Sequence, residues 1–340
     1  MARFFLLCFL WCAPWVHAAN VRTLQDTAGT TVTVPEKIER VATVGSVPVV
    51  NSLVFAVGEG KRIVNGLPTF AQTPRWGYQA IFAPHTAKLP SMQSADYAPN
   101  LEALMRAAPD VVLTMHSSSA DTLNRAGVPA LFLAWRKPED VKSVVGLLGK
   151  LFNQPEAAAR YSARFDEILG RVDTVLRRET PKRPRVLYFS PATLRQPHLI
   201  AEWWIRAAGG DSVTDDGRQT ETRNFTMEQL LAWDPDFLIV SGQEEADVVM
   251  RDARFADLKA VRARNVLVAP CGAHNWSNRT SEQPLTVLWA ATRFHPRIFP
   301  NASLQQETRR FYRDIFGTDL SVAQVDEILS GGPQALPVAR

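Results

Sequence analysis

The strongest constraint on this chain is a phrase it contains twice: Asn100-Leu-Glu-Ala-Leu-Met-Arg-Ala-Ala-Pro-Asp-Val-Val-Leu, and again Thr226-Met-Glu-Gln-Leu-Leu-Ala-Trp-Asp-Pro-Asp-Phe-Leu-Ile. In each copy a polar N-cap candidate, Asn100 or Thr226, stands two residues before a glutamate, Glu102 or Glu228. Leucines follow at helical spacing, Pro-Asp closes the helix, and an apolar run comes next. Each copy therefore reads as a capped helix, a tight turn and a buried strand. One copy in each half of the chain predicts two similar α/β lobes, and two lobes predict a cleft between them.

Composition supports two cores. With 340 residues and 46% hydrophobic content the chain is long and apolar enough for separate packed lobes. The formal charge of +4 is small and its Lys and Arg are spread out, so no nucleic-acid partner is expected. Residues 1–18 read as a cleaved signal peptide, with Arg3 as the positive n-region, Phe4 to Trp15 as the apolar h-region and Val16-His17-Ala18 before the cut. That apolar run is about a dozen residues, short of the roughly 20 that span a bilayer, so the expectation is export to the periplasm. Cys8 and Cys12 fall inside this segment, which leaves Cys271 alone and excludes an intramolecular disulfide. Cys271 reads either as a free thiol near the cleft or as a small buried hydrophobe.

Strands and helices alternate along the chain. After a short hairpin at 22–34, strands are predicted at 40–44, 62–65, 111–115 and 130–134, with helices at 48–57, 120–126 and 139–152 between or after them. These strands are continuous apolar runs, the signature of a parallel sheet covered on both faces. A long helical stretch follows from Pro155 to Thr180, with Ala157, Ala158, Tyr161, Phe165, Ile168, Leu169, Val172 and Leu176 on one face. Beyond Pro181 the pattern restarts with strands at 185–189, 237–241 and 265–269, a helix at 201–208 and a terminal helical group at 284–329. In 201–208, Trp203 or Trp204 reads as core by its helical spacing. A single long helix between two lobes predicts a stiff connector and small opening motions.

In this order and spacing the chain resembles the substrate-binding proteins of ABC importers with a helical backbone, the group that carries ferric siderophores, cobalamin and haem. The resemblance covers nearly the whole mature chain. It rests on Val32-Thr-Val-Pro-Glu-Lys-Ile-Glu-Arg-Val-Ala, Asn100-Leu-Glu-Ala-Leu with Ala108-Pro-Asp-Val-Val, Ala207-Ala-Gly-Gly-Asp, and Met227-Glu-Gln-Leu-Leu with Asp234-Pro-Asp. It implies two Rossmann-like lobes with parallel sheets joined by one connecting helix. It also implies that Glu102 and Glu228 dock on arginines of an inner-membrane permease dimer, which works with its ATPase. An acid in a first helical turn is also favoured by the macrodipole alone.

Ligands of open α/β lobes sit beyond the carboxyl ends of the strands. The candidates there are Trp76, Tyr78, Trp135 and Trp276 for stacking, with Arg75, Arg136, Arg195 and Arg279 for pairing with an anion. The densest stretch is Cys271-Gly-Ala-His-Asn-Trp-Ser-Asn-Arg-Thr-Ser-Glu282. Of His85, His116, His198, His274 and His295, none has local metal-ligand spacing, but His116 and His274 each follow a strand, one per lobe, and are candidates to meet a metal across the cleft. No nucleophile elbow, complete P-loop or zincin pattern occurs, so no enzymatic activity is expected.

The sequence thus predicts a signal peptide at 1–18, an N-terminal lobe at 19–153, a connecting helix at 154–180 and a C-terminal lobe with terminal helices at 181–340. The expected role is that of a monomeric periplasmic protein without a resident cofactor. It captures a metal chelate, a ferric siderophore first, and delivers it to the permease. Haem, cobalamin and a nickel or cobalt chelate are alternative cargoes, and a periplasmic sensor domain or hydrolase is the alternative of another class.

Overall fold

A computed structural model describes residues 20–333. The expected signal peptide lies outside these residues. An antiparallel hairpin, β1 (Val21–Gln25) and β2 (Thr31–Pro35), leads into β3 (Val41–Val44) and α1 (Val47–Phe55). The short α2 (Tyr78–Phe82) follows a run of loops, then α3 (Leu101–Ala107), β4 (Val111–Thr114), α4 (Ser117–Arg125), β5 (Ala130–Phe132) and α5 (Asp140–Leu151). After α6 (Pro155–Glu179) come β6 (Arg185–Tyr188), β7 (Arg195–Gln196), α7 (Ile200–Ala207), β8 (Asp211–Ser212), β9 (Arg223–Asn224) and α8 (Met227–Trp233). The chain ends with β10 (Phe237–Val240), α9 (Gln243–Arg251), α10 (Lys259–Arg262), β11 (Val266–Val268), α11 (Gln283–Phe294), α12 (Asn301–Ile315) and α13 (Val322–Leu329).

Two parallel sheets form the lobes, in the orders β3-β4-β5 and β11-β10-β6-β8. The strand expected at 62–65 is reduced to a single parallel bridge between Val41 and Ile63. The Asn65 side chain explains this: its Oδ1 accepts the Thr43 amide at 2.8 Å and so replaces the next backbone partner. Strand β8, helix α9 and the β7–β9 ribbon add to what the sequence pattern predicts; β7 and β8 are too short to show a period.

The connecting helix α6 starts at Pro155, where a missing N–H costs nothing, and stops at Thr180, whose left-handed conformation (φ 41°) precedes Pro181. Its 25 residues span about 37 Å. Tyr161, Ile168 and Val172 are fully buried, with Ala157, Ala158 and Phe165 nearly so. This face packs against α5, α11 and α12, and one continuous apolar core runs from the first lobe through α6 into the second.

The repeated phrase builds the same joint in each lobe. Helices α3 and α8 are N-capped by Asn100 and Thr226 and end in left-handed residues, Ala108 (φ 42°) and Asp234 (φ 37°), because the prolines that follow disfavour helical backbone there. The next aspartate then clamps the start of a neighbouring strand. Asp110 accepts the amides of Glu39 and Arg40 at 2.6 and 2.8 Å, and Asp236 accepts that of Arg185 at 2.8 Å. The arginine returns the contact: Arg40 donates to the carbonyls of Ala107 and Ala108, and Arg185 to that of Trp233. Each helix therefore ends at the amino edge of its sheet and begins at the carboxyl edge. Consistent with this, the Asn100 amide bonds to Met92 beside Gln93, which holds Gly45 just beyond β3.

Burial alone would raise the Asp236 carboxyl, but the Lys259 ammonium and the Arg185 amide outweigh it and hold it below the usual carboxylate range. Its stabilising effect is therefore complete above the unfolded value near 3.9 and is lost as pH falls through the lower folded value. Asp236→Ala should destabilise the chain by about 1–2 kcal/mol at neutral pH. In urea unfolding the gap to wild type should shrink below pH 4; a gap independent of pH would contradict this account.

Candidate functional site

Residues that follow the strands at the carboxyl edges of the two sheets line a cleft of about 350 Å³. One side carries Ser46, Phe70, Trp76, Tyr97 and Met115; the other carries His198, His274, Asn278 and Arg279. The aromatic groups are interlinked. Phe70 lies 5.2 Å from Tyr97, Tyr97 lies 5.8 Å from His116, and Trp76 lies 5.2 Å from His274, all as ring centroids.

The loop from Cys271 to Glu282 is fixed from below by one buried carboxylate. Glu282 accepts the amides of Ala273 and His274, each at 2.9 Å, the Thr280 hydroxyl at 2.7 Å and the Tyr312 hydroxyl. Burial pushes its carboxyl up even though these donors oppose the shift. Gly272 is required for this approach: a Cβ there would fall 1.9 Å from the Tyr312 oxygen and 2.1 Å from Glu282 Oε1. A chain of buried side chains ties the same loop to the first sheet. The Thr43 hydroxyl donates to Asn51 Oδ1, Asn51 Nδ2 to Gln79 Oε1, both at 2.8 Å, and Gln79 Nε2 to the Ala273 carbonyl.

Burial, with the positive charge of Arg75 and the neighbouring His198, holds the His274 imidazole down to about 3. Its Nδ1 is covered and has no hydrogen-bond partner. Burial and then the Arg279 charge also lower His198, against the opposing pull of Glu221. Both rings are therefore neutral at neutral pH and keep a free lone pair. Arg279 holds Glu221 through two contacts, at 3.0 and 2.5 Å, and donates to the Arg136 carbonyl at 3.3 Å. The charge that faces the cleft is thus already paired with a half-exposed carboxylate.

Of the residues expected at the site, Trp76, His274 and Arg279 come together in the cleft. Tyr78 is buried instead, and its hydroxyl donates to the Gln324 carbonyl and to Glu327. Trp135 and Trp276 are buried core residues, 5% and 0% exposed. His116 stands behind Tyr97 against Gly45, outside the lining, so the second cleft imidazole is His198. Arg136 contributes its carbonyl, and Arg195 is exposed on the β7–β9 ribbon. Tyr97 and His198 were not foreseen as lining groups. His198 had a signal, since it follows a short apolar-poor segment before a helix, but Tyr97 had none beyond its left-handed backbone (φ 69°), which the sequence does not reveal. Cys271 is fully buried, and burial raises its thiol to about 11, so it packs as a small hydrophobe.

Residues 53–271 match the model of the periplasmic binding protein family, and the chain belongs to that family, which supplies the solute-binding components of ABC transporters. No curated protein matches the sequence significantly. Among solved structures, a periplasmic solute binding protein from Veillonella parvula superposes with a TM-score of 0.79 at 24% identity, over 92% of this chain and 97% of that one. The molybdate-bound periplasmic binding protein of a Haemophilus influenzae ABC transporter gives 0.74 at 17%, over 88% and 99%. A nickel–histidine complex of Helicobacter pylori CeuE gives 0.73 at 16%, over 90% and 98%. At these identities the likeness establishes the fold: two α/β lobes with parallel sheets joined by a long helix. Among the described residues, no helix is long and apolar enough to cross a membrane.

The neutral state of His274 has a consequence for stability. Between pH 6.5 and about 3 the unfolded chain takes up a proton that the folded imidazole refuses, so this group costs stability as pH falls through that window. The slope is at most about 1.4 kcal/mol per pH unit. Denaturant unfolding of His274→Gln between pH 7 and pH 5 should show a flatter decline than wild type, and equal slopes would mean that the ring titrates normally.

Proposed function

We propose that the chain captures a compact metal chelate in the cleft and delivers it to an inner-membrane permease and its ATPase. The observation that carries this reading is the pair of neutral imidazoles, His198 and His274, set in a cleft with an aromatic and thioether wall. A neutral imidazole can fill a coordination position that a small chelator leaves open on nickel or cobalt. Among the described residues no three His, Cys, Asp or Glu side chains cluster as a metal site, so a metal cargo arrives with its own ligands. The volume is at the lower end of the range for small-molecule sites, which favours a compact chelate. CeuE, a fold neighbour at 16% identity, has been solved with nickel and histidine.

A ferric siderophore is the second reading, favoured by Arg279 and the stacking surface of Trp76. A saturated ferric chelate has no open position for imidazole, and its negative charge would take the place of Glu221 on Arg279. Delivery rests on Glu102 and Glu228, which stand exposed at equivalent positions of α3 and α8. Glu228 is held below the usual carboxylate range by the Thr226 hydroxyl and stays charged. Glu102 pairs with Arg106 at 2.6 Å on an open surface, a contact weak enough to exchange.

Two measurements test this reading. Titration with nickel–histidine, a ferric tricatecholate, haemin and cobalamin should quench tryptophan fluorescence through Trp76, with nickel–histidine strongest. His274→Ala should weaken that binding at least tenfold, and silence with all four would sink the chelate reading. Separately, Glu102→Ala with Glu228→Ala should abolish cellular uptake of the bound chelate and leave its affinity unchanged; normal uptake would remove both glutamates from docking.

A further inference from the structure

Helices α3 and α8 match in more than their glutamates. Leu104 and Leu230 occupy the same position and are both fully buried, which anchors each helix to its lobe. The next position, Met105 and Leu231, faces the other way: Met105 is 65% exposed and Leu231 46%. Each lies three residues after its glutamate, so carboxylate and apolar side chain share one helix face. Single exposed hydrophobic residues need no explanation. The same exposed apolar position in both copies of a repeat does, because neither helix uses it for packing, and Leu101, 38% exposed, extends the patch on α3.

The setting identifies the kind of partner. Both helices begin at the carboxyl edges of their sheets, the edges where the cleft lies; each glutamate stands in the first turn, and its apolar neighbour follows one turn further on. They are copies of one motif on one chain, held apart by the stiff α6. A surface of this form is complementary to two like subunits, each offering a cation beside an apolar depression. The geometry points to Met105 and Leu231 as paired apolar anchors that seat the two lobes on the two subunits of the membrane permease. This rests on the transport reading above and adds to the glutamates a contact that does not weaken with salt.

The test is photo-crosslinking in living cells with p-benzoylphenylalanine placed at position 105 or 231 of the full chain, and at Val322, also exposed (63%), as a control. Both docking positions should capture one and the same multi-span permease, identified by mass spectrometry, and position 322 should not. With that permease in nanodiscs, Met105→Ser with Leu231→Ser should weaken binding at least tenfold at high salt, with an unchanged unfolding midpoint. Capture of a second copy of this chain, capture of a water-soluble protein, no capture, or binding within twofold of wild type would each overturn the proposal. Glu102→Lys with Glu228→Lys separates the two ideas. If the lysine pair loses binding and the serine pair keeps it, the anchors fall and glutamate docking stands; if both keep it, the glutamates fall with the anchors, and the delivery of cargo to a permease is left standing on other contacts.

Discussion

The cleft depends on the burial of one face of α6. Tyr161, Phe165, Ile168 and Val172 are each at most 2% exposed, and each fully buried side chain of this kind contributes about 1.5–3 kcal/mol. Their sum, on the order of 10 kcal/mol, is comparable with the whole stability of an ordinary domain. Swinging the lobes apart far enough to expose this face would therefore cost about as much as unfolding. Polar ties act in the same sense: the Tyr161 hydroxyl donates to the Ser281 carbonyl, and the Ser281 hydroxyl to that of Ser52 in α1. The cleft is consequently held close to one width, and ligand must fit it with small rotations.

That rigidity is what allows the site to hold uncharged histidines beside arginines. A mobile loop would let more water reach His274 and move its basicity back toward the ordinary value. Here Glu282 pins the backbone of Ala273 and His274, Gln79 pins the Ala273 carbonyl, and Trp76 covers the ring. The Arg75 guanidinium, donating to the Ser241 carbonyl across the lobes, adds the positive charge that keeps the imidazole neutral. The uncharged state of the cleft histidines is thus a property of the packing beneath it.

The fold was legible because its period and punctuation are local. Pro-Asp after a capped helix, continuous apolar strands and a 25-residue amphipathic stretch each report their own conformation. The site was less legible because an aromatic residue after a strand can turn either way, and sequence spacing in a loop does not reveal the direction. Trp76 faces the cleft while Trp276, from an equally polar loop, fills the core; what separates them is the turn set by Gly272, which has no side chain, and by Glu282, whose partner Tyr312 lies thirty residues further along the chain. His116 and His198 exchange roles for a similar reason. His116 caps the residue Gly45 in its own lobe, whereas His198 is carried to the cleft by the two-residue ribbon strand β7, an element too short to have a period.

In the docking proposed above, the common position of the cleft and of the α3 and α8 amino termini links cargo to partner. A protein that grips both helices at once measures the angle between the lobes, and α6 leaves that angle little freedom. Ligand that bridges Trp76 on one side and Arg279 on the other biases the angle by whatever it gains from both walls together. A tenfold preference of the partner for the loaded state requires only about 1.4 kcal/mol of such bias. One or two charge-assisted contacts supply that much, for instance an anion that takes Arg279 from Glu221. A stiff connector therefore does not prevent signalling between cleft and docking face. It converts a small rotation into a displacement of two widely separated patches that a two-subunit partner can discriminate.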